Sequence, residues 1–197
     1  MNILYKIPGY ILLLFGGFCL SWGGLIVRSF ETTNAWEILL LRSFFFFLGV
    51  SFFLIIIYKK NSIKTVKKAG LAGLLGGFVM SFSFIAFVFA MMNTSVANVV
   101  FIISTQTMFL AIFGYFYLKE KISLISFFSI LLAMGGITIM VGDSLSTGSF
   151  LGNIIALAIP INFSILVMII RKNKNLDMVP AIFYSGIFSI IYGLILS

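Results

Sequence analysis

Between Ala69 and Leu118 the chain runs fifty residues without a charged side chain, and Lys119-Glu120-Lys121 closes the stretch. As one helix it would be about 75 Å long, against a bilayer hydrocarbon core of about 30 Å. It must fold back. The polar cluster suited to a turn is Asn93-Thr94-Ser95, with Asn98 just beyond. Two antiparallel membrane-spanning helices joined by a very short loop are expected. A chain built on such a hairpin is an all-α integral membrane protein, a multi-span helical bundle whose function lies inside it.

Composition excludes several classes. Hydrophobic residues make up 61% of the chain and charged residues 9%, with mean hydropathy +1.21; a soluble domain carries about 25% charged residues. The net charge of +8 does not imply nucleic acid, because the basic residues sit in short gaps between apolar runs. The single cysteine, Cys19, lies in an apolar run, so no disulfide forms within the chain. There is no histidine, which removes the usual neutral-pH acid/base group and the commonest metal ligand. No metal or cofactor is expected. The run Ile7 to Val27 after Lys6 is too long for a signal-peptide core and no cleavage site follows it, so it reads as a retained first span.

Taken in order, spans are expected at about 8–28, 35–58, 69–92, 95–118, 122–141, 150–170 and 178–197. Pro8 falls in the first turn of its helix, where proline is tolerated. A polar loop covers Glu31 to Asn34, a basic loop Lys59 to Lys68, a polar loop begins at Gly142-Asp143-Ser144, and a second basic loop covers Arg171 to Asp177. With the N-terminus cytoplasmic, eleven of the thirteen basic residues fall on the cytoplasmic side. Arg28 alone is left outside and Arg42 lies within a span. That asymmetry obeys the positive-inside rule and points to a multi-pass protein of the plasma or inner membrane.

An offset of 143 residues aligns the first span with the sixth: Gly9 on Gly152, Ile11 on Ile154, Leu14 on Leu157, Ser21 on Ser164, Ile26 on Ile169 and Arg28 on Arg171. Five spans separate the copies, so the second enters the membrane from the opposite face. Inverted repeats of this kind are a signature of secondary transporters. The expected division is a complete five-helix unit over 8–141 and the first two helices of a second unit over 150–197. The second unit is expected to be incomplete at its C-terminus, as a piece of a ten-span protein.

Ser21-Trp22-Gly23, Arg42, Ser95-Val96-Ala97-Asn98, Gln106-Thr107-Met108-Phe109 leading to Leu118-Lys119-Glu120-Lys121, and Gly135-Gly136-Ile137 occur in this order. Together they resemble an EamA-type unit of the drug/metabolite transporter superfamily. The resemblance covers the first unit completely and the first two spans of the second. It implies a ten-helix permease of two inverted units with a central cavity for a small metabolite. It departs at Thr107, where such units carry proline, so a proline kink in span four is not expected. Ile165-Leu166 also stand where an aligned Trp-Gly pair would be.

Arg42 lies about 10 Å below the interface. An intramembrane arginine faces the bundle interior or a wet cavity, or it snorkels. Substrate or gate contact competes here with pairing to Glu31 or Glu37. Glu37 is a poor same-helix partner at five positions. Trp22 is far from the ends of its span and either lines a cavity or fills a core gap. Gly17, Ser21, Gly24 and Arg28 share a helix face, as do Gly73, Gly77 and Ser81; small residues there permit close helix approach. In the first stripe a cavity wall is the alternative. Ser95, Asn98 and Thr105 share one face of span four, with Gln106 nearby. Their polar groups must bond neighbouring helices or a polar substrate. Glu120 reads as an interfacial anchor, and by the resemblance as an inner-gate residue. The run Phe44 to Phe47 reads as lipid-facing surface and core.

The leading reading is a permease moving a small solute, such as an amino acid or a nucleoside-like metabolite, by alternating access. Its expected partners are the lipid bilayer and the small-molecule substrate, with a homodimer left open. A membrane enzyme lacks its histidines, paired carboxylates or metal cluster. A non-transporting seven-span scaffold or receptor is the alternative. No acidic residue lies deep in a span, so this unit offers no visible proton relay.

Overall fold

The computed structural model describes residues 9–29, 34–147 and 149–197. Lys6, Pro8 and Glu31 lie outside them, as do the side chains of Cys19, Ser21 and Arg28. Among the described residues eight α-helices follow one another: α1 (Gly9–Ser29), α2 (Ala35–Tyr58), α3 (Ser62–Asn93), α4 (Val96–Ser104), α5 (Gln106–Leu118), α6 (Leu124–Thr147), α7 (Phe150–Lys172) and α8 (Val179–Leu196). The described residues contain no strand. Four helical stretches among them are long and apolar enough to cross a membrane: 35–93, 96–118, Phe150–Lys172 and Val179–Leu196. The first would be about 90 Å long if straight, so it holds two crossings. Lys59, with φ 49°, turns the chain between them. In α6 the apolar part is shorter, Leu124–Ile139.

α3 is the central helix and packs against α7 and α8; α2 lies against α8 and α3, and α4 and α5 lie against α7. The stripe Gly73, Gly77 and Ser81 is buried, as expected for packing. A Cβ on Gly77 would sit 2.5 Å from Tyr184 Cβ and 2.8 Å from the Ala181 carbonyl oxygen of α8. Only a bare backbone allows helices this close. Gly24 seats α1 likewise, its missing Cβ replaced by Val96 and Met91; Gly17 of the same stripe meets nothing within 4 Å. The core under these contacts holds Leu39, Val88, Met91, Val99, Ile102 and Ala156, all fully buried. The outward faces carry large apolar side chains such as Phe45, Phe52, Phe116 and Leu132, a surface suited to lipid and not to water. Phe44 and Phe45 point outward, while Phe46 and Phe47 stack on Phe84 and Phe183.

Two boundaries differ from those expected. Residues 62–68 are not a loop but part of a basic helical segment, set off from the rest of α3 by Gly70 at φ 52° and ψ −145°. The Ser62 and Thr65 hydroxyls bond back to the Lys59 and Asn61 carbonyls, and glycine supplies the positive-φ joint. Residues 142–144 are likewise helical, part of α6. One glycine costs a helix about 1 kcal/mol and does not end it.

Span four is broken at Thr105 although Thr107 is not proline. The Thr105 hydroxyl donates to the Ile102 carbonyl at 2.6 Å and Ser104 donates to Phe101 at 2.6 Å. The Thr105 N–H bonds Ile102 as well, at 3.1 Å. Adjacent hydroxyls bonding back three residues tighten the turn and interrupt the i−4 ladder.

Candidate functional site

One end of the bundle collects three charged segments. Glu120, just past α5, pairs with Arg171 at the end of α7, N···O 2.9 Å. Arg171 Nη1 donates to both Glu120 oxygens. The Tyr58 hydroxyl donates to Asp177, and the Tyr184 hydroxyl donates to the Val66 carbonyl at 3.3 Å. Segments 59–68, 119–121 and 171–177 thus share an end. Leu118, Glu120, Arg171 and Lys174 line an open cavity there.

At the other end, the α3–α4 turn meets the start of α7. Ser95 caps α4 by accepting from the Asn98 N–H at 3.1 Å. Asn153 Oδ1 accepts from Thr94 Oγ1 at 2.7 Å and from Asn98 Nδ2 at 3.4 Å, and Asn98 Nδ2 also reaches Thr94 Oγ1 at 3.1 Å. Gly152 makes this approach close: a Cβ there would lie 2.5 Å from the Asn93 carbonyl carbon. Asn153 is completely buried, and its Nδ2 has no hydrogen-bond partner.

Between the two ends sits Arg42. Its guanidinium lies 4.3 Å from the Phe87 ring centre and 5.5 Å from that of Phe84. Nη1 is buried and makes no hydrogen bond. Glu37, already a poor same-helix partner by spacing, does not pair with it, and Glu31, the other carboxylate considered, lies outside the described residues. Each ring contributes roughly 0.5–2 kcal/mol to holding a cation. The effective penalty for burying an ion is several kcal/mol. The rings therefore orient the charge without balancing it.

The remaining expected residues are more scattered. Thr105 is buried and spends its hydroxyl on Ile102. Gln106 is half-buried at the first position of α5. Trp22 is 53% exposed and touches Phe18 edge-on. The six residues thus do not form one cluster: Asn98 belongs to the Thr94–Asn153 group, Glu120 to the opposite end, and Arg42 to an aromatic seat of its own. Asn153 and the partner role of Arg171 were not among the residues expected from sequence. Asn153 carried the same signal as Asn98, an amide inside an apolar run; that the two would meet across 55 residues of chain had no signal.

The model of the EamA-like transporter family matches residues 7–142. The chain belongs to that family. It is a multi-pass membrane protein of transporter type, and the match covers the first of the two stretches that resemble EamA-type units, 8–141, while 150–197 lies outside it. No curated protein and no solved structure matches the chain. In this EamA-like protein the matched segment contains all six expected site residues, whereas Asn153 and Arg171, which complete the polar contacts at either end, come from α7 beyond it.

Proposed function

We propose that the protein is a permease that moves a small polar or amphipathic metabolite across the plasma or inner membrane by alternating access. The observation that carries the reading is the family match over 7–142. In this reading residues 8–141 form one five-helix unit and 150–197 open a second, inverted one, with the N-terminus cytoplasmic. Trp22, Arg42, Asn98, Thr105 and Gln106 line the solute path at different depths. Glu120 and Arg171 latch the cytoplasmic end, supported by the ion pair between α5 and α7. An exposed ion pair contributes about 0–1 kcal/mol; a latch that must open in every cycle requires a contact this weak.

Reconstitution of the full protein in proteoliposomes, with a panel of amino acids, nucleosides and organic acids, tests the reading. Saturable movement of at least one solute is expected, with at least a tenfold loss in the Arg42→Ala/Gln106→Ala double variant. Undiminished transport in that variant would remove both residues from the path. No movement of any solute would remove the permease reading.

A further inference from the structure

Arg42 and Ser43 are adjacent in α2, and both leave a buried polar atom unbonded: Arg42 Nη1 and Ser43 Oγ. The Ser43 case is anomalous within this protein. Ser51, Ser129, Ser164 and Ser189 each bond back to the carbonyl four residues earlier, at 2.6 to 2.9 Å. Helical serine normally does so when nothing else is in reach. Ser43 is equally helical and 1% exposed, yet its hydroxyl makes no such bond. Arg42, Ser43, Phe46 and Phe84 line one small void of about 10 Å³, the room that one water-sized atom needs.

The positive charge has no carboxylate partner among the described residues. Glu120 is engaged by Arg171, and Asp177 by Tyr58. Phe87 and Phe84 cover the guanidinium, so an incoming group meets its edge. What remains is a fixed cation, a second donor beside it, and space for a single oxygen atom. From this geometry we infer that Arg42 and Ser43 bind an anion, receiving one oxygen of a carboxylate-bearing solute. The inference rests on the transport reading and narrows its substrate class to organic acids or amino acids carrying a free carboxylate. Nη1 and the Ser43 hydroxyl both donate to that oxygen, a charge-assisted arrangement.

The test uses the full protein in nanodiscs of zwitterionic lipid, with benzoate as probe and benzamide as its uncharged isostere. Benzoate is expected to raise Tm and benzamide to leave it unchanged. Arg42→Gln is expected to weaken benzoate at least tenfold, and Ser43→Ala about three- to tenfold. Without benzoate, Arg42→Gln is expected to melt no lower than the parent, because an unbalanced buried charge has been removed. A clear fall in its Tm would make the arginine a structural post and overturn the site. Ser43→Ala keeps the question open to measurement if Arg42→Gln does not fold: benzoate binding unchanged in Ser43→Ala overturns the two-donor site. Equal shifts from benzoate and benzamide, or a shift from chloride alone, overturn the carboxylate assignment. So does stabilisation of the parent, but not of the variant, by added phosphatidylglycerol that also abolishes the benzoate response; the source is then a lipid. Transport of uncharged solutes without benzoate binding overturns this inference and leaves the permease intact. Benzoate binding without transport of any solute has the reverse meaning.

Discussion

Asn153 shows how far a single side chain ties distant parts of the chain together. Its one carbonyl oxygen accepts from both Thr94 and Asn98, and its burial leaves no water to replace them. Truncation in Asn153→Ala removes the acceptor from two donors. Loss of about 1–3 kcal/mol is expected, read as a lower Tm in detergent. Glu120 is the opposite case. The pair with Arg171 is about half exposed, so Glu120→Arg should cost at most about 1 kcal/mol in stability. Its consequence belongs to transport: Glu120→Arg and Arg171→Glu are each expected to change the rate severalfold, and the double exchange to restore it. Rates unchanged in all three variants would strip the pair of its latch role.

At the scale of helices, glycine placement decides which surfaces meet. Gly77→Val would push a side chain into Tyr184 and the α8 backbone, and overpacking of this kind costs about 1–3 kcal/mol. Gly49, on the exposed side of α2, meets nothing within 4 Å. Gly49→Ala should therefore hold or raise Tm, since alanine is the better helix former by about 1 kcal/mol. A Tm for Gly77→Val equal to that of the parent would mean that α3 and α8 are not in contact. The stripe Gly73-Gly77-Ser81 was legible in the sequence because small residues at i, i+4 and i+8 have one common use. The turn at Asn93-Thr94-Ser95 was legible because a fifty-residue apolar run cannot cross a bilayer once. The break at Thr105 was not, for it comes from two hydroxyls choosing carbonyls three residues back. The helical state of 62–68 was hidden for a related reason: lysines suit a loop and an interfacial helix equally, and only the positive φ of Gly70 separates them. Arg42 was recognisable as exceptional from its position alone, but its seat on Phe84 and Phe87 depends on how α2 and α3 pack.

For the molecule as a whole, charge and contacts lead to the same arrangement. Segments 59–68, 119–121 and 171–177 carry ten of the thirteen basic residues, and Tyr58–Asp177 and Glu120–Arg171 hold them at one end. The Asn93 turn and the start of α7 occupy the other. This is the disposition the positive-inside rule produces when those three segments face the cytoplasm, as the proposed topology has them. Accessibility labelling tests it most directly. In a Cys19→Ser background, single cysteines at Lys64, Lys174 and Asn93 would be exposed in intact cells to a membrane-impermeant maleimide. The account predicts that Asn93→Cys is labelled and that Lys64→Cys and Lys174→Cys are labelled only after permeabilisation. Labelling of Lys64→Cys and Lys174→Cys from opposite sides of the membrane would contradict it.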